Sequence, residues 1–466
     1  MQPWFQSLLV AGLLLLGWGV LPLRAQVLLD HELPTSMPED SASPATGRTG
    51  WTLTEILRRS AVGHPLVEAA MGRVVVARGN RASAGAFANP LLTYQVENGP
   101  FFGAVRPPGT STETSFFATL PIEGLYQRWP RIRRADEELL AARSELVSTQ
   151  RTVVLDATRA FYRVALAQAS VVAATEIEAR LEALAAYNQS RLTEGVAAEG
   201  DLIRIQVEVA RAATSTALEA VELARARAAL LPFLGDATTG RPSLDSLSVS
   251  VEDASLAADT LPPLERFVAL ARDARPDLLA ARARAAAANA EISFQRTLLI
   301  RQVGLVFGTK RLSGFNTMIA GVTLPLPIFE QNGGGRAVAA GERTSAMAEL
   351  VWSERLAIAD VEAAYRSAEI LTRQAARLQN GFMARADESR RITVAAYEEG
   401  AASLLQVLDV SRAWADAQVL YYRTLFAQRQ SLLELNVAAG LQPDAAMPLP
   451  PPGSSMTIPS HSGDSR

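Results

Sequence analysis

The feature that most constrains this chain is an internal repeat at long range. Residues 51–234 and 264–440 follow one order: a short apolar helix, a step at a proline, two strand-like runs, and a very long helix that ends at a Glu-Gly pair before a further helix. The prolines (Pro65 and Pro276) and the Glu-Gly glycines (Gly195 and Gly400) are separated by nearly the same number of residues. Such a repeat is typical of a duplicated structural unit, in which neither copy buries its apolar surface alone.

The longest uninterrupted helical pattern lies in the first repeat. Between Arg131 and Glu194 there is no glycine and no proline, which predicts a helix roughly 95 Å long at ~1.5 Å per residue. Its apolar residues recur every three or four positions, the spacing of coiled-coil packing: Leu139, Ala142, Leu146, Val153, Ala157, Ala160, Val164, Ala167, Val171, Ala174 and Leu181. In the second repeat the pattern is interrupted only by Gly341, Gly381 and Gly400.

Two pairs of short runs alternate between apolar and polar residues. They predict strands near 91–98 and 113–122 in the first repeat and near 302–310 and 315–324 in the second. Alternation over about ten residues is what transmembrane β-barrel strands show, although a half-buried soluble sheet gives the same pattern. Four strands cannot close a barrel, and lipid does not tolerate an open sheet edge. If these strands lie in a membrane, several chains must share one barrel.

The remaining segments have the composition of targeting, linking and tail sequences. Residues 1–25 predict a secretory signal peptide; the alternative interpretation is an uncleaved membrane anchor. Residues 26–50 are expected to be a flexible N-terminus, and residues 441–466 a disordered tail rich in proline and serine. Residues 235–263, rich in Gly, Pro, Ser and Asp, are expected to link the two repeats.

Composition and motifs exclude several classes of function. A net charge of −3 does not supply the basic face of a nucleic-acid-binding protein, and the chain has no cysteine for thiol catalysis. The three histidines (His31, His64 and His461) form no ligand cluster, so no metal site is expected. Gly333–Gly335 lacks the Lys-Ser/Thr of a phosphate-binding loop and predicts a crossing from strand to helix. No acid–base pair stands out, so we expect neither an enzyme nor a cofactor.

These features together resemble the TolC-type family of outer-membrane efflux proteins. The resemblance covers residues 51–440 and is most specific in Gly321–Phe329 (GVTLPLPIF) and in Tyr397–Asp409 (YEEGAASLLQVLD). It implies an α+β membrane protein with a duplicated β-hairpin and long helical hairpin. Three copies would build a 12-stranded β-barrel, an even number as bacterial barrels require, continued by an α-helical barrel in the periplasm.

The resemblance also implies a function and partners. A homotrimer in outer-membrane lipid would passively conduct substrates that an inner-membrane pump and a periplasmic adaptor protein deliver to it. The general spacing is closest to the outer-membrane components of resistance-nodulation-division pumps, including cation-efflux relatives. The exported substrate does not follow from the sequence.

In this family a periplasmic gate closes the tunnel at the helical tips. Tyr397 matches a tip tyrosine that bonds to an aspartate of the first repeat, and Asp201 falls at that position. The resemblance therefore implies a latch between Asp201 and Tyr397, whose loss favours an open state. The family's arginine five residues after the tyrosine is replaced here by Ala402, and Arg204 is the candidate substitute.

The resemblance further implies a constriction ring. Asp409 matches one of a pair of inward-facing aspartates, and the other position is occupied by Gln406. Residues three apart share a helix face, and three Asp409 carboxylates around an axis would favour cations, as acidic rings do in channels. The missing second aspartate weakens the expected selectivity.

Two alternatives remain open at this point. A periplasmic coiled-coil scaffold or adaptor, with its hairpins in a soluble domain, accounts for the helices but not for the duplication. A secreted enzyme would need a convergent set of polar residues that the sequence does not show. Extraction from the outer membrane by detergent as a trimer would separate the channel from both.

Overall fold

A computed structural model of the chain describes residues 50–99, 109, 111–196, 198–235, 242–250, 261–312, 314–379 and 381–441. The predicted signal peptide (1–25), flexible N-terminus (26–50) and C-terminal tail (441–466) lie outside the described residues, apart from Gly50 and Leu441.

The same order of elements occurs twice along the chain. The first copy contains helices α1 (Leu53–Gly63), α2 (Pro65–Gly85), α3 (Gly124–Thr193) and α4 (Glu199–Leu230), with strands β1 (Leu91–Glu97) and β2 (Glu113–Pro121) between α2 and α3. The second contains α5 (Leu264–Ala274), α6 (Pro276–Thr297), β3 (Gly304–Leu312), β4 (Phe315–Thr323), α7 (Gly333–Gln379), α8 (Phe382–Glu398) and α9 (Leu404–Ala438). A short 3₁₀ turn, Leu231–Phe233, follows α4.

The two prolines of the repeat both begin a helix. Pro65 and Pro276 are the first residues of α2 and α6. Proline suits this position because its fixed φ fits the helix and the first N–H has no intrahelical partner in any case. Each proline therefore separates a short helix from the next one without disturbing a hydrogen bond.

The four strands form one antiparallel sheet in the order β1-β2-β3-β4. Each copy contributes one hairpin, and β2 and β3 join the two hairpins with Phe116 opposite Thr309 and Phe117 opposite Gly308. Strands β1 and β4 are consequently the two edges of the sheet within the chain.

Helix α3 is longer than the glycine- and proline-free stretch predicts. It has 70 residues, or about 105 Å at 1.5 Å per residue, and it begins at Gly124 and continues through Pro130. The expected seam is correct in the middle, where Val153, Ala157 and Val164 are buried. At Ala142 and Ala174 the neighbouring Ala141 and Ala173 are buried instead, whereas Leu181, near the end of the helix, is buried as predicted.

The counterpart of α3 in the second copy is divided in two. Helix α7 passes through Gly341 without interruption, whereas Gly381, with φ of 86°, separates α7 from α8. Of the two glycines, only the one that adopts the left-handed conformation interrupts the helix.

Helix α9 ties the two copies together. Its Phe426 belongs to a core around Phe161 of α3 and Leu230 of α4, and its Leu435 belongs to a second core with Phe267 of α5. Among the described residues, no helix combines the length and the hydropathy needed to cross a bilayer.

Part of the predicted linker contributes to the first core. Leu247 is fully buried, and Val249 is nearly so. The backbone of Trp51 exchanges 2.9 Å hydrogen bonds with Ser248 and Ser250. This part of residues 235–263 is therefore an element of the packed structure and not only a connection.

Candidate functional site

The sheet has two chemically different faces. The register places the side chains of one face in lateral rows, such as Tyr94, Phe116, Thr309 and Met318. Large apolar residues dominate this face and are strongly exposed, 67% for Tyr94 and 81% for Met318. The opposite face is more polar and better covered, with Ser115 only 6% exposed. This is the division expected of a strand surface that meets lipid on one side and an aqueous interior on the other.

One ion-pair cluster lies on the polar face. The Lys310 Nζ atom is 3.1 Å from Glu97 Oε2 and 2.6 Å from Glu113 Oε2. Glu97 and Glu113 are opposite each other on β1 and β2, and Lys310 reaches them from β3. The cluster joins three strands at the end of the sheet farther from the long helices.

At the other end of the long helices, both helical hairpins turn in the same way. Gly195 after α3 and Gly400 after α8 have φ of 76° and 78°. In each turn, an N–H just beyond the helix donates back into its last turn, from Val196 to Arg191 O and from Ala401 to Ala396 O. These are the C-terminal caps that glycine in the left-handed conformation permits. The two predicted Glu-Gly turns are confirmed.

The two hairpins pack against each other near these turns. The tip core, as we call it, consists of Leu181, Ile205, Tyr397, Leu404, Val407 and Leu408. It brings together the end of α3, the start of α4, the end of α8 and the start of α9. Because apolar contacts are the main link here, separating the hairpins would expose this surface to water.

Within the tip core, the structure gives Tyr397 a different partner from the one predicted. Its hydroxyl donates to Asn188 Oδ1 of α3 at 2.6 Å, and Asn188 Nδ2 donates to Leu184 O at 2.9 Å. Asn188 is 1% exposed, and a buried amide requires such partners. The Tyr397 hydroxyl therefore donates its hydrogen bond to Asn188 and not to Asp201.

Asp201 and Arg204 lie at the start of α4. Asp201 is half-exposed in the first turn, where a carboxylate is favoured by the helix dipole. Arg204 is exposed one turn further along. The guanidinium that contacts Tyr397 belongs instead to Arg191, 5.7 Å from the centres of both the Tyr187 and the Tyr397 rings.

Gln406 and Asp409 are both exposed near the start of α9. Gln406 has a local role that the sequence reasoning missed, because Ser403 N donates to its Oε1 at 2.7 Å while Gln406 N donates to Ser403 Oγ at 3.4 Å. This reciprocal pair is a capping box, recognisable in the sequence as Ser-x-x-Gln. Asp409, one turn later, has no ion-pair partner among the described residues.

An ion pair also joins the two hairpins. The Arg412 guanidinium of α9 donates to Glu208 of α4 at 2.5 Å, and Arg211 approaches the same carboxylate at 3.4 Å. The hydrogen bond from Arg412 lowers the pKa of the Glu208 carboxyl, and the charge of Arg211 acts in the same direction. No sequence signal identifies this pair, because both residues lie in ordinary mixed-charge helix faces.

The chain matches known proteins over most of its length. It matches the family described as outer membrane efflux protein over residues 268–441. It is 25% identical over 406 residues to the cobalt-zinc-cadmium resistance protein CzcC of Cupriavidus metallidurans, a match that covers 82% of this chain and 91% of that protein.

Solved structures share the fold. CusC superposes with a TM-score of 0.69 at 19% identity, covering 84% of this chain and 92% of CusC. The open state of the MtrE outer-membrane channel of Neisseria gonorrhoeae gives 0.67 at 18% identity, covering 85% and 91%. The fold is therefore that of a channel with a β-barrel and a helical barrel. The chain is thus similar to outer membrane efflux proteins in sequence over residues 268–441, and it shares the fold of CusC and of the MtrE outer-membrane channel over most of its length.

Proposed function

We propose that three copies of this chain form the outer-membrane channel of a tripartite efflux system, together with a periplasmic adaptor and an inner-membrane pump. One observation carries the proposal: a four-stranded sheet with an exposed apolar face and a polar face leads into helices of 70 and 47 residues. A soluble sheet would bury residues such as Tyr94 and Met318, which are among the most exposed side chains here. This exposure favours the channel over a periplasmic scaffold.

Divalent metal cations are the first cargo to test. The sequence relative CzcC is described as a resistance protein for cobalt, zinc and cadmium, and Asp409 offers an exposed carboxylate at the helical tip. A ring of three such carboxylates would attract cations and repel anions. Loss of resistance to these metals, but not to organic drugs, in cells lacking the chain would support this cargo.

The gate is proposed at the tip core. Two polar links join the hairpins in addition to apolar contacts, Tyr397 to Asn188 and Arg412 to Glu208, and we propose that they hold the gate closed. The resemblance implies a bond between Asp201 and Tyr397; because Tyr397 donates to Asn188 within the chain, Asp201 is proposed to act instead in a contact with a neighbouring copy. An adaptor that binds the separated hairpins better than the closed ones would open the gate.

The channel and its constriction are tested by conductance in a planar bilayer. We expect the purified protein to form channels that prefer cations, and Asp409→Ala to weaken that preference because three carboxylates are removed together. Asp273→Ala serves as the control, since Asp273 is exposed at the end of α5, far along the chain from the tip. If the channels are unaffected by Asp409→Ala, the proposed ring is wrong but the proposed channel stands. Protein that forms no channels and stays soluble without detergent would contradict the channel itself.

The latch is tested by the same measurement on Tyr397→Phe and Asp201→Ala. Losing one neutral hydrogen bond of about 0.5–1.5 kcal/mol should raise the open probability by roughly 2- to 10-fold. Tyr187→Phe is the matched control, because it removes a hydroxyl from the ring that packs beside Tyr397 at 6.4 Å. If Tyr397→Phe behaves like Tyr187→Phe, the Asn188 bond does not hold the gate; an unchanged Asp201→Ala would remove Asp201 from the latch.

A further inference from the structure

One face at the start of α3, next to the sheet, is exposed. Leu125, Trp129 and Arg133 follow one another at four-residue steps and lie on this face. The exposed fraction is 70% for Leu125 and 69% for Trp129, and Arg133 is exposed as well. We call these three residues the α3 face.

The position of α3 within the chain keeps the α3 face away from neighbouring copies. On one side of α3, Ile132 and Ala135 pack against α2, and on another side Arg134 pairs with Glu291 of α6. Helix α3 follows β2, which has a partner strand on both sides within the chain. A copy that pairs with β1 or β4 therefore lies beside α2 or α7 and leaves the α3 face uncovered.

The chemical character of the α3 face changes with distance from the sheet. Leu125 lies nearest the sheet, Trp129 lies one turn farther, and Arg133 lies another turn farther, at about 6 Å per step. Tryptophan is enriched at the level of the lipid headgroups, and the headgroup layer on each side of a bilayer is about 5–8 Å thick. The order from aliphatic to aromatic to cationic therefore extends the exposed apolar face of the sheet to the boundary between lipid and water.

The start of α3 is also basic. Residues 124–135 contain four arginines and no acidic residue, and of the four only Arg134 has a carboxylate partner among the described residues. The Arg128 Cζ atom is 6.0 Å from the centre of the Trp129 ring. Arg128 is held there because its Nε donates to a backbone carbonyl at the end of α2 at 2.8 Å. Arg128 and Arg133 therefore place two positive charges, not neutralised by a carboxylate, beside Trp129 and one turn beyond it.

We propose that the α3 face binds an anionic phospholipid, with the acyl chains against Leu125 and Trp129 and the phosphate between Arg128 and Arg133. An arginine near the membrane surface attracts an anionic headgroup. A zwitterionic headgroup carries a cation of its own, which the two arginines repel, so the site selects for net negative charge. The proposal rests on the proposed channel, because only a sheet inserted in lipid brings Trp129 to the level of the headgroups.

The preference is tested by quenching of tryptophan fluorescence in phosphatidylcholine vesicles. The vesicles contain an equal small fraction of either phosphatidylglycerol or phosphatidylcholine that is brominated on its acyl chains, and bromine quenches only a tryptophan close to it. Of the described tryptophans, Trp129 alone lies within two turns of the sheet. We expect brominated phosphatidylglycerol to bind at least about fivefold more tightly than brominated phosphatidylcholine. Arg133→Gln should lower this preference about fivefold, and Trp129→Phe should remove the difference in quenching between the two lipids.

Arg385→Gln is the control for the change of charge, because Arg385 is also exposed but lies on α8, beyond the junction at Gly381. Equal quenching by the two lipids in the wild type, or a difference that survives intact in Arg133→Gln or in Trp129→Phe, would overturn the proposal. A change in Arg385→Gln as large as that in Arg133→Gln would also overturn it. Conductance of the same preparation separates the two proposals: protein that conducts without a lipid preference contradicts the lipid site alone, whereas protein that neither conducts nor enters the vesicles contradicts both.

Discussion

The long helix of the first copy and its counterpart in the second copy differ in one place. Helix α3 runs for 70 residues to its tip turn without a break, whereas the second copy reaches the matching turn through α7 and a separate 17-residue helix, α8. Gly381, just after α7, precedes the tip glycine Gly400 by the same number of residues as Glu176 of α3 precedes Gly195. Glu176 lies within the continuous helix and pairs with Arg180 one turn later. The long helix of the first hairpin is therefore continuous. That of the second hairpin is interrupted at Gly381, and the short helix α8 lies between this joint and the tip.

This difference indicates which hairpin is able to move. A left-handed residue at a helix junction allows the short segment beyond it to change direction, while a continuous hydrogen-bonded helix does not bend without losing bonds. Helix α8 carries Tyr397, which faces the first hairpin and bonds to Asn188 of α3. We therefore expect α8 and the start of α9 to move against a fixed α3 when the gate opens.

The largest expected effect comes from breaking the continuous rod. Ala179→Pro in α3 removes a helical hydrogen bond and introduces a clash, which should cost about 3 kcal/mol or more. Ala179 is exposed, so its side chain is not part of the core. Ala179→Gly is the milder control, with an expected cost of about 1 kcal/mol. Thermal unfolding of the purified protein measures both; equal small shifts would mean that continuity of α3 is not required.

A smaller effect with opposite signs is expected at two glycines of the second copy. Gly381→Ala places a Cβ at φ of 86° and should destabilise by about 1–2 kcal/mol. Gly341→Ala, within α7, should stabilise by about 0.5–1 kcal/mol because alanine favours the helix. A Cβ at either position meets nothing within 4 Å, so backbone conformation alone separates them. Equal effects in thermal unfolding would contradict the joint at Gly381.

The smallest effect is expected from acid, and it separates the two links at the tip. The lowered pKa of Glu208 means that its bond to Arg412 contributes fully above the ordinary glutamate value of about 4.3. The contribution is lost only as the pH falls below that value through the lowered pKa. Opening should thus increase on acidification from pH 7 towards pH 3. Glu208→Gln should open more than the wild type at pH 7, approach it towards pH 3 and so respond less to acid, whereas Tyr397→Phe should keep the full response. An acid response of the same size in Glu208→Gln would assign it to other carboxylates.

Where sequence reasoning succeeded, the signal was local or periodic. The strands follow the alternation of apolar residues, and the turns follow Glu-Gly because glycine alone adopts the required left-handed conformation at little cost. The duplication itself is visible because the two prolines and the two Glu-Gly glycines keep nearly constant spacing.

Contacts between distant residues were not accessible in this way. Asn188 is one of several polar residues near the end of α3, and only the packing of α8 shows that it faces Tyr397. Gly341 and Gly381 are the same residue type in similar helical surroundings, so the sequence alone does not predict their different backbone conformations. Leu247 and Val249 lie in a segment whose composition is that of a linker, although both are buried against α3.

The two edge strands of the sheet have a consequence for genetics. Within one chain, β1 and β4 are each paired on one side only, and an edge exposed to lipid is not stable. In the proposed trimer, each copy therefore accepts a strand from one neighbour and offers one to the other. A copy whose β4 cannot pair, for example because Ile319 is replaced by proline, would prevent mixed assemblies that also contain intact copies from closing their barrel. Such an allele should be dominant over the wild type when both are expressed together.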